Sequence, residues 1–399
     1  MKIFKSLTGN VWRLGISQGL MMTVMNVNLT NTALVGSLLA PTPWLITLPI
    51  SIQFVAVMLA TIPASLMMAQ FGRKPIFLIG VFMVTIGAFG QASSILIERF
   101  ELLVFFSFLL GLGQGVAQFY RYAAADSVEG SEKAKAVSLV LLGGLASAII
   151  GPEIAYRTVS LLPNNLYAGC FVVTGLVQMI AIPIILGLDL PPLKIQKHKG
   201  RPITAFFQIP SFLSGLTAAA LGYCLMTFLM TATPLQVVEV SELSHQANAR
   251  VIQWHIVAMF APSLFSGLLI AKFGVHKILW AGIFFFVLAC IIALLGTNFY
   301  FYLTTLIFLG VGWNFLFVGG SAVIADSASQ EERGRVQGIA DFCIFSFVAL
   351  ASMFSGMVHS EFGWTFMVSI SSLVIVLISF AVVFGRPTLK EKRKQAVQL

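Results

Sequence analysis

Apolar stretches of about 20 residues, the length that carries a helix across a hydrocarbon core, recur from one end of this 399-residue sequence to the other. A chain built of such runs has lipid for much of its solvent. The charge content agrees. Only 10% of the residues are Asp, Glu, Lys or Arg and 58% are apolar, whereas a soluble domain carries roughly 25% charged residues. Too few charges exist to cover a water-facing surface of this size. A soluble enzyme, a nucleic-acid-binding protein and a disordered chain are therefore excluded.

Breaks between the runs fall where charges, Pro and Gly cluster. They predict twelve spans, at 11–38, 44–69, 76–96, 102–123, 136–157, 166–188, 207–232, 250–271, 278–296, 301–325, 336–358 and 364–385. The first run follows Lys2, Lys5 and Arg13 but continues to Leu39 with three asparagines and no small-residue cleavage site. It is read as a retained helix rather than a signal peptide. Lys and Arg concentrate in cytoplasmic loops near helix ends. With the N-terminus inside, 20 of the 24 Lys and Arg fall in inner segments, and only Arg99, Arg121, Arg157 and Arg250 do not. A miscounted span would scramble this alternation. The expected protein is multi-pass in the inner (cytoplasmic) membrane with both termini cytoplasmic, and its net charge of +9 is a topology signal that needs no nucleic acid.

The longest polar stretch, Asp189–Arg201, splits the spans six and six. The expected organisation is an N-terminal bundle over 1–188, a basic cytoplasmic linker over 189–205, and a C-terminal bundle over 206–399 ending in a short basic tail. The halves echo each other. Asp126-Ser127 is followed by Glu132, Lys133 and Lys135; Asp326-Ser327 is followed by Glu332, Arg333 and Arg335, an offset of 200 throughout. Gly111-Leu112-Gly113 answers Gly310-Val311-Gly312. The loop Ala69-Gln70-Phe71-Gly72-Arg73-Lys74 answers Ala271-Lys272-Phe273-Gly274-Val275-His276-Lys277. Parallel six-span repeats are an architecture of secondary transporters.

On these features the sequence resembles the major facilitator superfamily over essentially its whole length. The residues that carry the resemblance are Gln70–Lys74 and its echo Gly267–Lys277, Asp126 and Asp326 with their charged loops, Gly151-Pro152 in span 5, and the stretch Gly310–Gly338. The resemblance implies an all-α membrane protein, twelve transmembrane helices in two pseudo-symmetric bundles of six. It also implies gating by the loop charges Arg73, Lys74, Asp126, Glu132, Lys277, Asp326, Glu332, Arg333 and Arg335. Three positions depart from the family pattern: Ala69 and Ala271 stand where the loop motif carries Asp, and span 4 has Ser107 near the place of a basic residue found in many proton-coupled antiporters.

Charges inside spans are costly and need a reason. Glu153, directly after Gly151-Pro152, is a candidate proton carrier or substrate anchor, or else a partner of Arg157 one turn on. Arg121 either binds an anionic group, pairs with Asp126, or snorkels to the interface. Asp341 and His255 are the further coupling candidates. Uncharged polar groups mark a candidate path: Asn28 and Asn31 (with Asn26) on span 1, Gln53 on span 2, Gln114 and Gln118 on span 4, Trp254 beside Gln253 on span 8, and Trp313-Asn314 on span 10. Each could equally serve helix–helix hydrogen bonding.

No phosphate-binding loop occurs, so direct ATP drive is not expected. Cys170, Cys224, Cys290 and Cys343 lie in apolar runs without metal or disulfide spacing, and neither a cofactor nor a metal is expected. The expectation is a monomeric, non-enzymatic secondary transporter, proton-coupled, that moves a small to medium organic solute by alternating access. Three alternatives stay open: an efflux antiporter for drugs or metabolites, an uptake permease of the vitamin or siderophore type, and a non-transporting receptor of the same fold.

Overall fold

A computed structural model describes residues 8–129, 132–190, 201–329 and 332–385. The middle of the expected linker (191–200) and the basic tail from 386 lie outside the described residues. The helices are α1 (Gly9–Leu39), α2 (Leu48–Phe71), α3 (Arg73–Leu96), α4 (Phe100–Ala117), α5 (Tyr120–Asp126), α6 (Glu132–Arg157), α7 (Ala168–Met179), α8 (Ala181–Leu186), α9 (Pro210–Leu235), α10 (His245–Phe260), α11 (Ser263–Phe273), α12 (Val275–Leu295), α13 (Phe299–Asp326) and α14 (Arg333–Phe384).

Among the described residues, nine helical segments are long and apolar enough to cross a bilayer, and the bent pair α10–α11 makes a tenth. One of the nine is α14, whose 52 residues hold a non-helical Gly363 at φ 74°, ψ 176°. At about 1.5 Å per residue α14 would run far beyond a hydrocarbon core of about 30 Å, so it crosses twice, with Gly363 at the turn. The remaining crossing is α1, with 31 residues, whose asparagines and threonines dilute its hydropathy. The twelve expected spans are thus present.

Several are broken where a straight rod was expected. Span 6 divides into α7 and α8 at Ile180, one turn before Pro183, which has no N–H to give the carbonyl of Met179. Span 8 divides at Ala261-Pro262 with a bend of 41°. Span 4 divides at Gln118-Phe119 into α4 and α5. Pro234 near the end of α9 is followed by a π-helical turn, Gln236–Val240. By contrast α6 runs on through Pro152.

The sequence echo is also a structural one. Gly72 and Gly274 end α2 and α11 with the same φ of 85°, a left-handed value that disfavours any side chain. Each donates its N–H to the carbonyl four residues back, Met68 and Ile270. Helices α1–α8 pack on one another through contacts such as α1 on α6 and α4 on α2 and α3, and α9–α14 do likewise through α9 on α13 and α14. Small residues allow the close crossings. A Cβ added at Gly143 of α6 would lie 2.5 Å from the Gly15 carbonyl oxygen of α1. Between the halves the main contacts are α6 with α10, α2 with α14, and α1 with α9.

Candidate functional site

The hydrogen bonds and ion pairs that join the halves lie at or above mid-depth, toward the end of the bundle opposite the basic loops. Asn248 Nδ2 of α10 donates to the Thr30 carbonyl of α1 (3.2 Å), and Gln253 Nε2 donates to the Ile149 carbonyl of α6 (3.1 Å). Ser51 Oγ of α2 donates to Ser352 Oγ of α14 (3.0 Å). Thr47 Oγ1 donates to the Met353 carbonyl and accepts from the Gly356 N–H. Ser37 bonds the Glu239 carboxylate. Nearer mid-depth, Ser346 meets the Met58 sulfur. Toward the basic end, among the described residues, no hydrogen bond or ion pair crosses between the halves. There Arg121, of one half, bonds Tyr122, and Asp341, of the other, forms no ion pair among the described residues. Among the described residues, the polar bonds between the halves are thus confined to one end of the bundle and its middle.

Glu153 belongs to the shut end. Its Oε1 accepts from Arg157 Nε at 2.6 Å, the i+4 pair read from the sequence, and its Oε2 lies 3.2 Å from Arg250 Nη2 across the divide. Arg250 also donates to Gln253 Oε1 at 2.7 Å. Tyr156, Ser160 and Gln246 complete the walls of this outer recess. The contact with Arg250 was not anticipated, because nothing in a sequence pairs two residues on spans 5 and 8.

The polar residues of α1 to α4 form a closed knot. Asn28, fully buried, accepts at Oδ1 from Gln53 Nε2 (2.9 Å), Gln91 Nε2 (3.0 Å) and Thr32 Oγ1 (3.1 Å), and its own Nδ2 donates to the Val24 carbonyl. Gln91 Nε2 also donates to Ser107 Oγ at 2.8 Å. Ser107, at the departure from the family pattern, is therefore one strand of the knot. Asn31 Nδ2 donates to the Ala155 carbonyl and to Cys170 Sγ. Asn26 Nδ2 donates to Ser147 Oγ. Asn28, Asn31 and Gln53 thus tie helices together here. Gln114 is buried with Nε2 unpartnered, and Gln118 sits at the α4–α5 break.

In the other half Asn314 holds the bend of span 8. Pro262 has no N–H to give the preceding turn. Asn314 Nδ2 reaches from α13 to the Met259 carbonyl (2.7 Å) and Ser263 Oγ (2.5 Å), and Ser266 Oγ donates to Asn314 Oδ1 (2.7 Å). His255 is wholly buried, and its Nδ1 lies 2.7 Å from the Leu306 carbonyl. A carbonyl only accepts, so Nδ1 carries the hydrogen. Trp254, between the buried Gln253 and His255, is 50% exposed at the surface, and the structure does not bring it to the other candidate path residues.

Trp313 stands at the centre of an aromatic cluster at mid-depth. It stacks on Phe317 (centroids 5.1 Å, planes 11° apart) and meets Tyr223 (5.0 Å) and Phe260 (6.2 Å) edge-on. Tyr223 also meets Phe317 and Phe345. The cluster draws on α9, α10, α13 and α14. Trp313 itself is buried, whereas the other four rings are partly open. The indole N–H has no partner. Tyr223, Phe260, Phe317 and Phe345 were missed in the sequence, since phenylalanines crowd every span and only their convergence distinguishes these.

The loop charges pair within halves. Arg73, nearly buried, holds Asp126 at 2.5 Å, and Lys135 holds Glu132 at 2.7 Å. The equivalent of Arg73 in the second half is Val275, which explains why Asp326 has no such pair. That half uses Arg201 instead. Its guanidinium bonds both Glu332 oxygens and its backbone N–H donates to Oε1 at 2.8 Å; Arg335 donates to the Arg201 carbonyl. These bonds, with the Ser329 N–H, hold the Glu332 carboxyl far below the usual range, and the carboxylate in turn raises Arg201. Among the described residues, Lys74, Lys277, Asp326 and Arg333 form no ion pair. Arg121 lies over the Tyr122 ring and donates to its hydroxyl at 3.0 Å.

Comparison with known proteins agrees with this geometry. The sequence profile described as Major Facilitator Superfamily matches residues 14–261 and 243–399. The chain is 35% identical over 379 residues to the riboflavin transporter RfnT of Brucella anthropi, covering 94% of both chains. It is 28% identical to YddS of Bacillus subtilis, an uncharacterised transporter of the MFS type, over 79% of this chain and 76% of that one. Among solved structures it is similar to a bacterial homologue of the human lysosomal transporter Spinster in an inward-facing and occupied conformation (TM-score 0.74, 14% identity, 94% and 95% covered). A mutant of the nucleoside transporter NupG is likewise similar (TM-score 0.71, 15% identity, 94% and 99% covered).

Proposed function

The chain belongs to the Major Facilitator Superfamily of membrane transporters, and on that premise we propose that it takes up riboflavin or a closely similar planar vitamin. The observation that carries the reading is the 35% identity to the riboflavin transporter over 94% of both chains. The aromatic cluster at mid-depth supports it, because stacked and edge-on rings suit a flat heteroaromatic solute. The efflux alternative has only the Gly151-Pro152 pair behind it.

In this reading the basic end is cytoplasmic, in an inner membrane, and the bonded end, which faces outward, is the closed one. Alternating access exchanges the closed outer end for a closed inner one, with the two six-helix halves moving as units. Glu153 and Arg250 then serve as an outer latch, and Arg121 approaches Asp341 when the inner end shuts. Proton drive is part of the proposal. Glu153 is held by two arginines, whereas Asp341 has no ion-pair partner among the described residues, which makes Asp341 the better placed carrier. The test is uptake of labelled riboflavin into a riboflavin-auxotrophic bacterium expressing the protein, repeated in sealed vesicles with and without an imposed pH gradient. Saturable uptake that an excess of unlabelled riboflavin abolishes supports the reading. No uptake at full expression overturns it.

A further inference from the structure

The proposed function names a solute but leaves open which half of the protein recognises it. The two halves differ sharply at mid-depth. Around Asn28 the donors of Gln53, Gln91 and Thr32 all converge on the Asn28 oxygen, which leaves Gln91 Oε1 unpartnered but no unpartnered donor, so this knot has no N–H to give a solute acceptor. The second half holds the opposite arrangement: five aromatic rings from four helices converge, four of them partly open, around an indole N–H with no acceptor. An N–H buried without a partner has lost its water and gained nothing in exchange. Nothing among the described residues offsets it.

We propose that the C-terminal half alone recognises the ring system of the solute, with Tyr223, Phe260, Phe317 and Phe345 against its faces and edges and the Trp313 indole N–H donating to a ring acceptor. The inference rests on the reading of the protein as a transporter of a planar vitamin. The occupant is a fused heteroaromatic bearing carbonyl or ring-nitrogen acceptors on one edge. A hydrocarbon ring of equal size would keep the stacking and leave the N–H unsatisfied, so Trp313 is the specificity determinant. Any sugar-alcohol side chain then lies away from the aromatic wall.

The experiment uses the full-length protein in detergent. Riboflavin, lumichrome (the ring system without its ribityl chain), ribitol and anthracene-9-carboxylate are titrated against tryptophan fluorescence, and riboflavin uptake is measured in cells. The expected order is binding of riboflavin and lumichrome within about threefold of each other, no binding of ribitol, and weak binding of the anthracene. Trp313→Phe keeps a ring but removes the N–H. It should raise the riboflavin Kd about five- to tenfold, the worth of one hydrogen bond, raise the uptake KM in step, and leave anthracene binding unchanged. Because Trp313→Phe removes the central fluorophore, its Kd is read from the quenching of riboflavin's own emission. Tyr223→Leu serves as the second variant and should weaken every ring ligand alike. The proposal is overturned if wild-type protein takes up riboflavin while Trp313→Phe keeps its Kd and KM, or if ribitol competes and lumichrome does not. Wild-type protein that binds lumichrome but moves no riboflavin would instead overturn the assignment of the solute and leave the ring site standing.

Discussion

Breaking the outer latch should populate the outward-open state by a calculable amount. Glu153 and Arg250 meet at 3.2 Å with side chains 27% and 40% exposed. Such half-solvated pairs are worth about 1 kcal/mol or less after screening and side-chain ordering. Arg157, 71% exposed, would be solvated once Glu153 is neutral and adds little. Arg250 keeps its bond to Gln253. The cross-half bonds at Thr30, Ile149 and Thr47 are untouched, and the Ser51–Ser352 bond is altered equally in every background by the reporter cysteine described next, so the outer end stays shut on average. A loss of about 1 kcal/mol changes the ratio of the two states roughly fivefold. The readout is a cysteine replacing Ser352, buried in the other cross-half interface, between α2 and α14, in a background where Cys170, Cys224, Cys290 and Cys343 are alanine. Its alkylation by a membrane-impermeant maleimide added outside reports the outward-open fraction. Glu153→Gln and Arg250→Gln should each raise the rate up to fivefold. The double variant should match either single one, because both remove the same contact. Unchanged rates, or effects of the two substitutions that multiply, would refute the latch.

Asn28→Ala removes the oxygen on which three donors now converge. At roughly 0.6–1 kcal/mol each the protein should lose about 2–3 kcal/mol, read as a lower midpoint of thermal or denaturant unfolding in detergent; an unshifted midpoint would mean the knot is replaceable by water. The Glu332 carboxyl is depressed by Arg201, so the attachment is fully present above the ordinary carboxylate value of about 4.5 and weakens as pH falls below it. Protease cleavage near Arg201 should therefore rise between about pH 4.5 and lower values in wild-type protein, and be high and flat with pH in Glu332→Gln. Gly143→Val places a branched side chain where even a Cβ meets the Gly15 carbonyl at 2.5 Å, so monodisperse yield on size-exclusion chromatography should collapse, while Gly144→Val, whose Cβ has only Met22 near at 3.9 Å, should be tolerated.

The crossings were legible because their signal is additive along a run: every apolar residue and every loop cation votes for the same topology. The repeat was legible because its turns demand a residue type, and Gly72 and Gly274 share one backbone conformation. The site was much less legible. An asparagine in a span reads the same whether it faces water or another helix, and at Asn28, Asn31 and Asn314 the partner is a helix. Glu153 was singled out as an intrahelical charge, yet its meaning lies in Arg250, which the sequence places 97 residues away. The aromatic wall was reached only through Trp313. With 35 phenylalanines in the chain, no pattern separates Phe260, Phe317 and Phe345 from those that merely face lipid.

The polarity of α1 carries a consequence for biosynthesis. This helix leaves the ribosome before every partner that buries it, and it is the crossing least able to remain in lipid alone. Its asparagines find their acceptors and donors only after α2, α3, α6 and α7 have been made. The translocon must therefore hold or readmit α1 until more than a hundred further residues have followed. In this protein membrane insertion and tertiary assembly are one event, and a slow stretch of translation after α7 would aid folding more than one after α1.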